Sequence, residues 1–422
     1  MGNNTYFSLL RQNRDYRFLW LGAVFSYFGD WFNLIASADL VSSLSHEGTA
    51  ISFLFLARFL PSLLFSPVAG VLADRLDRRK LLIGADVLRV GVVACFLFVR
   101  NGDQLWLFYV LLVGQFVLST VFIPARAAIL ANIVSRQELV AANAWDSRTW
   151  SVMLTVGSLA GGVVASFFGR NTAFIVDALT FLLSALLIAQ TRPRSAPVPN
   201  KVLVPSGLSA FVEGLRYVAG APMILVVSLT KAAGALAWSA INVLEVSFAR
   251  HIFPLGASGN TTLGLIYAVS GIGTGVGPLL LRRWLGDAPT RLRWGIVWGF
   301  GCLTAGVTML SLAQSLGGFL LGTLIRTLGT GTLWVFSAVL LQMLVPNAFR
   351  GRVFAFEYAV LMLAEIISTL WAGFAQDRLG WRTPDVALFM AGVSLVVGLL
   401  WLVCHVYWLW RPAAASIPMS EE

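Results

Sequence analysis

Twelve apolar stretches follow one another along this chain, and that succession decides the fold class before any motif is read. They run over residues 18–40, 50–73, 80–99, 104–126, 142–167, 170–190, 222–248, 261–281, 292–313, 317–341, 353–376 and 386–410. Each is near or above the ~20 residues that an α-helix needs to cross a ~30 Å hydrocarbon core. Most are continuously apolar rather than alternating, which favours helices over the strands of a barrel. Charged residues make up 12% of the chain, against about 25% in a soluble domain. A soluble domain burying this many helices would need a polar face on most of them. The sequence therefore predicts an all-α polytopic membrane protein.

The connectors set its orientation. With the N-terminus inside, nineteen bases fall on inner segments: Arg11, Arg14, Arg17, Arg75, Arg78, Arg79, Lys80, Arg136, Arg192, Arg194, Lys201, Arg216, Arg282, Arg283, Arg291, Arg293, Arg350, Arg352 and Arg411. Five fall outside: Arg100, Arg170, Arg250, Arg378 and Arg382. Basic residues accumulate in cytoplasmic loops, so both termini are expected in the cytoplasm. The net charge of +10 would suggest nucleic acid in a soluble chain. Here it belongs to short connectors, and no nucleic-acid partner is expected.

The longest break, from Thr191, carries Pro193, Pro197, Pro199 and Pro205, and Phe211 to Tyr217 then reads as a short amphipathic helix. It divides the chain into a six-helix half (1–190), a cytoplasmic linker (191–217), a second six-helix half (218–410) and a cytoplasmic tail (411–422). A weak internal repeat supports the division. Gly70 with Arg78-Arg79 closes the second stretch, and Gly277 with Arg282-Arg283 closes the eighth. Matching halves about a central cavity are an expected transporter layout.

Other classes lose ground. No Gly-x-x-x-x-Gly-Lys-Ser/Thr phosphate loop occurs, and no extramembrane segment is long enough for a nucleotide-binding domain. Cys95, Cys302 and Cys404 lie in apolar stretches and read as packing residues. His46-Glu47 lacks the second histidine of a zinc helix. The alternating glycines Gly271, Gly273, Gly275 and Gly277 lie inside an apolar stretch, where they allow close packing. Arg11, Arg14 and Arg17 lead into a span too long for a cleavable signal peptide. Neither catalytic residues nor a metal or cofactor is expected.

The tightest charge cluster of the first half is Gly70-x-x-x-Asp74-Arg75-x-x-Arg78-Arg79. It resembles the signature loop between helices 2 and 3 of the major facilitator superfamily, with Asp77 where the family usually has glycine. The chain more narrowly resembles the drug-efflux-like branch that includes macrolide and enterobactin exporters. Four stretches carry that likeness: Phe122-Ile-Pro-Ala-Arg-Ala-Ala-Ile-Leu130, Leu139-Val-Ala-Ala-Asn-Ala-Trp145, Phe174-Ile-Val-Asp-Ala-Leu-Thr-Phe181 and Phe349-Arg-Gly-Arg-Val-Phe354. The family's helix-5 antiport pattern survives as Gly157, Gly161 and Gly162 without its proline. The resemblance implies a secondary active transporter of the bacterial inner membrane. It would work as a monomer, export a lipophilic or amphipathic organic compound by alternating access, and use the proton as coupling ion. A lysophospholipid transporter or importer on the same fold, and a non-transporting receptor or chaperone, stay open as alternatives.

Charges within the spans supply the candidate sites, because a charge in hydrocarbon is costly and faces protein or water. Asp30, Arg58, Arg89 and Glu365 are proton-coupling candidates; the alternative for Asp30 is a structural hydrogen-bonded carboxylate or a helix irregularity at Gly29, and for the set it forms with the arginines a static pair. Asp86 lies three residues from Arg89 and shares its helical face. Trp31, Phe32, Lys231, Trp238, Arg326 and Trp334 are candidates for lining the substrate cavity, with Lys231 and Glu365 as a pair across helices. By analogy with the family, Gly70, Asp74, Arg75, Arg78 and Arg79 would meet Glu357 in an inner gate. Gly157, Gly161 and Gly162 would let helix 5 pack against a helix of the other half.

Overall fold

Each apolar stretch folds as one long helix. The computed structural model describes residues 9–135, 138–192 and 208–410. The linker prolines, the tail from residue 411 and the side chain of Asp74 lie outside the described residues. Among the described residues, twelve helices have 19 residues or more. They are α1 (Arg14–Leu44), α2 (Gly48–Arg75), α3 (Arg78–Phe96), α4 (Leu105–Ile133), α5 (Leu139–Phe168) and α6 (Arg170–Ile188), then α7 (Pro222–Ser247), α8 (Asn260–Leu285), α9 (Pro289–Leu312), α10 (Leu316–Leu344), α11 (Asn347–Asp377) and α12 (Thr383–Trp410). A short linker helix, Leu208–Ala219, precedes α7.

Local chemistry fixes several helix starts. The Asn13 side chain accepts from the Tyr16 N–H and opens α1. Asp77 accepts from the Lys80 N–H at 3.0 Å and opens α3. The residue that departs from the signature loop is thus a helix cap. Pro222 and Pro289 occupy first-turn positions of α7 and α9, where the missing N–H costs nothing. Gly169, at φ +79°, lets α5 stop and α6 start with a single intervening residue.

Ten of these segments are long and apolar enough to cross a membrane. The other two, α1 and α3, carry buried polar groups: Asn33 and Asp39 in α1, Asp86 and Arg89 in α3. Those groups lower the apolar character of both helices.

The helices gather into two lobes with matching contacts. In the first, α1 packs on α5 and α6, α2 on α4, and α3 on α4 and α6. In the second, α7 packs on α11 and α12, α8 on α10, and α9 on α10 and α12. The internal repeat, faint in sequence, is plain in these pairings. The lobes meet through α5 against α8 and α2 against α11.

Small residues make the α5–α8 seam possible, since apolar side chains gain little by leaving lipid and backbones must approach closely instead. A Cβ at Gly162 would stand 2.6 Å from the Asn260 carbonyl oxygen, and one at Gly264 would stand 2.7 Å from that of Ser158. Gly157 and Gly161 behave differently from Gly162. They face Phe28, Trp31 and Phe32 of α1, within their own lobe. The alternating glycines of α8 also divide their work. Gly271 and Gly275 face α5, whereas Gly273 and Gly277 face α10.

Candidate transport cleft and its gates

The first lobe concentrates its charges where α1, α2, α3 and α6 converge. A Cβ at Gly29 would meet Asp177 Oδ1 of α6 at 2.6 Å, so glycine lets α1 press onto α6 beside Asp30. Asp30 stands within electrostatic range of Arg89 and Arg58. Among the described residues it forms no ion pair with either. Arg89 is held by Asp86 at 3.1 Å and lies over the rings of Phe122 and Phe181. Asp86 also accepts from the Ser184 hydroxyl at 2.7 Å. Arg58 lies over the Phe116 ring at 4.5 Å, and its buried Nη1 makes no hydrogen bond among the described residues. Three of the four proton-coupling candidates therefore share one neighbourhood, with Arg89 committed and Asp30 and Arg58 uncommitted.

A second polar layer supports them. Asn33 donates to Asp177 at 2.8 Å and to Gln115 at 3.2 Å, tying α1 to α6 and α4. Arg126 of α4 makes two hydrogen bonds to Asp146 of α5, at 2.7 and 2.8 Å. Sequence reasoning missed Asp146. Its signal was position, since Arg126 and Asp146 lie in or beside two of the stretches that carry the family likeness.

In the second lobe, Lys231 of α7 pairs with Glu357 of α11 at 3.1 Å and lies under the Trp334 ring of α10 at 4.6 Å. This corrects the expected Lys231–Glu365 pair. Glu365 is instead buried beside Trp238, which is also buried, and forms no ion pair among the described residues. Arg326 is engaged by Glu245 of α7. Lys231 and Glu357 are 6% and 3% exposed, whereas Trp334 is 46% exposed. Trp334 lies two turns beyond Arg326 on the same side of α10, with Thr330 between them, so this face is polar rather than lipid-like. Of the aromatic candidates, Trp334 borders open space and Trp31 reaches the other lobe, its ring 5.6 Å from Tyr267 of α8. Phe32 packs in the core against Gly161.

The two ends of the lobe seam differ. At the end away from the charged loop, Asp377 of α11 accepts from the Gly48 N–H at 2.8 Å, the Thr49 N–H at 2.7 Å and the Thr49 hydroxyl at 2.6 Å. Asp39 of α1 stands 3.6 Å from both Arg170 of its own lobe and Arg250 of the other. Ser247 donates to Gln376 at 3.2 Å, both within the second lobe and lining an open 230 Å³ cavity at this end of the molecule. Ser166 and Thr261 hydroxyls meet across the seam at 2.8 Å.

At the charged-loop end, a Cβ on Gly70 would meet nothing within 4 Å. Arg78 donates to the Ala73 carbonyl and Arg79 to the Ala189 carbonyl, both inside the first lobe. Glu357 is occupied by Lys231, so the described gate residues do not meet across the seam. The linker helix docks beside them on α11, with Glu213 to Arg352 at 2.9 Å and Tyr217 stacked on Phe349 at 4.4 Å.

Two lobes with matching helix contacts, meeting along a polar seam, are the arrangement of a membrane transporter. The family model described as transmembrane secretion effector matches residues 4–416. The chain belongs to that family, within the major facilitator superfamily of transport proteins, and it is related to export-type members. It is 26% identical to the uncharacterized transporter YfiS of Bacillus subtilis, over 94% of each chain. It is 24% identical to the putative bacilysin exporter BacE of Bacillus amyloliquefaciens, covering 92% of this chain and 93% of that one. A bacterial homologue of the iron transporter ferroportin shares the fold at 18–19% identity, over 94% of this chain and 99% of that one. The TM-score is 0.68 to its inward-facing state and 0.62 to its outward-facing state.

Proposed function

We propose that this chain is a proton-coupled exporter of a lipophilic or amphipathic organic compound in the bacterial cytoplasmic membrane. In this reading all twelve long helices cross the bilayer as two groups of six, and both termini face the cytoplasm. The observation that carries it is the unequal seam. Asp377, Asp39 and Arg250 join the lobes at one end, while among the described residues Arg75, Arg78 and Arg79 make no hydrogen bond or ion pair to the other lobe. With that loop in the cytoplasm, the structure is an inward-facing carrier. The greater likeness to an inward-facing relative supports the same assignment, and the relationship to export-type members supports the direction.

Asp30 is the proposed proton site. It faces two bases, Arg58 and Arg89, without being bonded to either among the described residues, whereas Asp177, in range of the same bases, is held by Asn33. Protonation removes its attraction for Arg58 on α2, a helix of the inter-lobe seam, and so changes the balance between the two facing states. The membrane potential favours inward movement of positive charge by about 2.3 kcal/mol per charge per 100 mV. In this cycle Arg75 and Arg78 move towards Glu357 when the cavity faces outward, and Lys231 must release Glu357 for that to happen. Trp31, Trp334 and the Lys231–Glu357 pair line the cavity.

The test is reconstitution into liposomes containing a pH-sensitive dye, with lipophilic cations, macrolides, siderophores and lysolipids offered in turn. Compound-dependent proton movement that disappears in Asp30→Asn is expected. Lysolipid movement that ignores the pH gradient would replace this reading with the lipid-transporter one.

A further inference from the structure

One polar cluster plays no part in the cleft. It lies on the outer flank of the second lobe, where α9 packs on α12. His405 of α12 is fully buried, and both of its ring nitrogens lack a hydrogen-bond partner among the described residues. Its ring stands edge-on to Trp294 of α9, centroids 4.7 Å apart. Arg293, the neighbour of Trp294, acts electrostatically on His405 and has two buried nitrogens, Nε and Nη1, without partners. Its Nη2 donates to Thr290, and its backbone carbonyl accepts from the Trp401 indole, one turn from His405.

Buried polar groups are normally paired, and hydrocarbon offers them no water. Here two donor-bearing side chains from different helices leave the same kind of need unmet at the same place. Arg293 brings a permanent positive charge and His405 an N–H, so the missing partner is an anion rich in acceptor oxygens. The depth narrows the choice. Arg293 is four residues into α9, and His405 is five residues before the end of α12. Both belong to the end of the molecule that carries the charged loop. Trp294, Trp298 and the strongly exposed Trp284 mark headgroup level. Arg283 and Arg291 add exposed positive charge nearby, while the closest acid of the connector, Asp287, is already taken by Arg282.

We propose that Arg293 and His405 form a binding site for the phosphate group of an anionic glycerophospholipid, seated between α9 and α12. Inorganic phosphate offers the same chemistry from solution. The lipid is favoured because the pair lies at headgroup depth between α9 and α12, along which its acyl chains would lie.

The full-length protein in detergent would be examined by native mass spectrometry with equal amounts of phosphatidylglycerol and diacylglycerol. Several-fold higher retention of phosphatidylglycerol is expected. The double variant Arg293→Gln/His405→Phe should lose that preference, Arg293→Lys should keep part of it, and Arg282→Gln at the exposed Asp287 pair should leave it unchanged. A parallel sample receives inorganic phosphate alone. A phosphate adduct that displaces the lipid would uphold the anion site and overturn its assignment to lipid. Equal retention of the two lipids, or a preference untouched in a correctly folded double variant, would overturn the proposal. Size-exclusion profile and helix content establish that each variant is folded.

Discussion

Asp377 caps a helix that belongs to the other lobe. The N-cap residue of α2 is Glu47, and its side chain makes no capping bond. Asp377 takes two N–H groups and a hydroxyl in its place. A cap is worth about 1 kcal/mol, or roughly five-fold in a two-state balance. Because this one spans the seam, it stabilises only the state in which this end is closed. Asp377→Ala should therefore raise the reactivity of a cysteine placed beneath the seal by about five-fold, in a background lacking Cys95, Cys302 and Cys404. Unchanged labelling would mean that the cap does not hold the closure.

The Lys231–Glu357 pair makes a second residue-scale case. Both side chains are nearly inaccessible, so removing one charge leaves the other stranded. Lys231→Met should lower stability by about 3 kcal/mol, read as a fall in the detergent unfolding midpoint. Adding Glu357→Leu to Lys231→Met should recover much of that loss, yet transport should stay impaired. Full transport by the double variant would reduce the pair to scaffolding. Sequence could not choose between Glu357 and Glu365. They are eight residues apart on α11, about 12 Å along its axis, and the choice depends on how deep α7 sits, which only packing decides.

At the level of helices, much was legible. Each of the twelve stretches is one helix, because a chain in lipid must satisfy its backbone locally. The boundaries moved most where charge mixes with apolar residues, as in α4, which runs on through Arg126 to Ile133. Which helix touches which was much less legible, since a continuously apolar helix has no marked face. The glycines of α5 show the limit. Gly161 and Gly162 are adjacent in sequence but about 100° apart around the helix, and so face α1 and α8 respectively. That difference predicts unequal tolerance. Gly162→Ala must push α8 away, because the new methyl would stand 2.6 Å from the Asn260 oxygen, while Gly157→Ala meets nothing closer than 3.3 Å. Transport by Gly162→Ala should fall several-fold at normal membrane expression, with Gly157→Ala much less affected. Equal rates would show that the close α5–α8 approach is not needed for turnover.

Across the whole molecule, the charges fall into two sets. Arg89–Asp86, Arg126–Asp146 and Arg326–Glu245 are paired within their lobes, buried except for a partly exposed Asp146. Asp30, Arg58 and the loop bases Arg75, Arg78 and Arg79 form no ion pair among the described residues, and they are the groups proposed to change partners as the lobes rock. The seal away from the charged loop was not legible in sequence, because Asp39, Arg250 and Asp377 come from three distant segments. The signature loop was visible, but its partner in this state was not. Glu357 is shared between a gate proposed for the other state and a pair made in this one.

Reciprocal motion of the two ends is the most direct consequence of this arrangement. Spin labels at Glu47 and His251 would report the sealed end, and labels at Leu76 and Phe349 the charged-loop end, by pulsed electron resonance in liposomes at acidic and alkaline pH. Alternating access predicts that the two distances change in opposite senses, and that Asp30→Asn fixes both at one setting. Distances that change together, or a pH response that survives Asp30→Asn, would contradict a rocking carrier switched by that carboxylate.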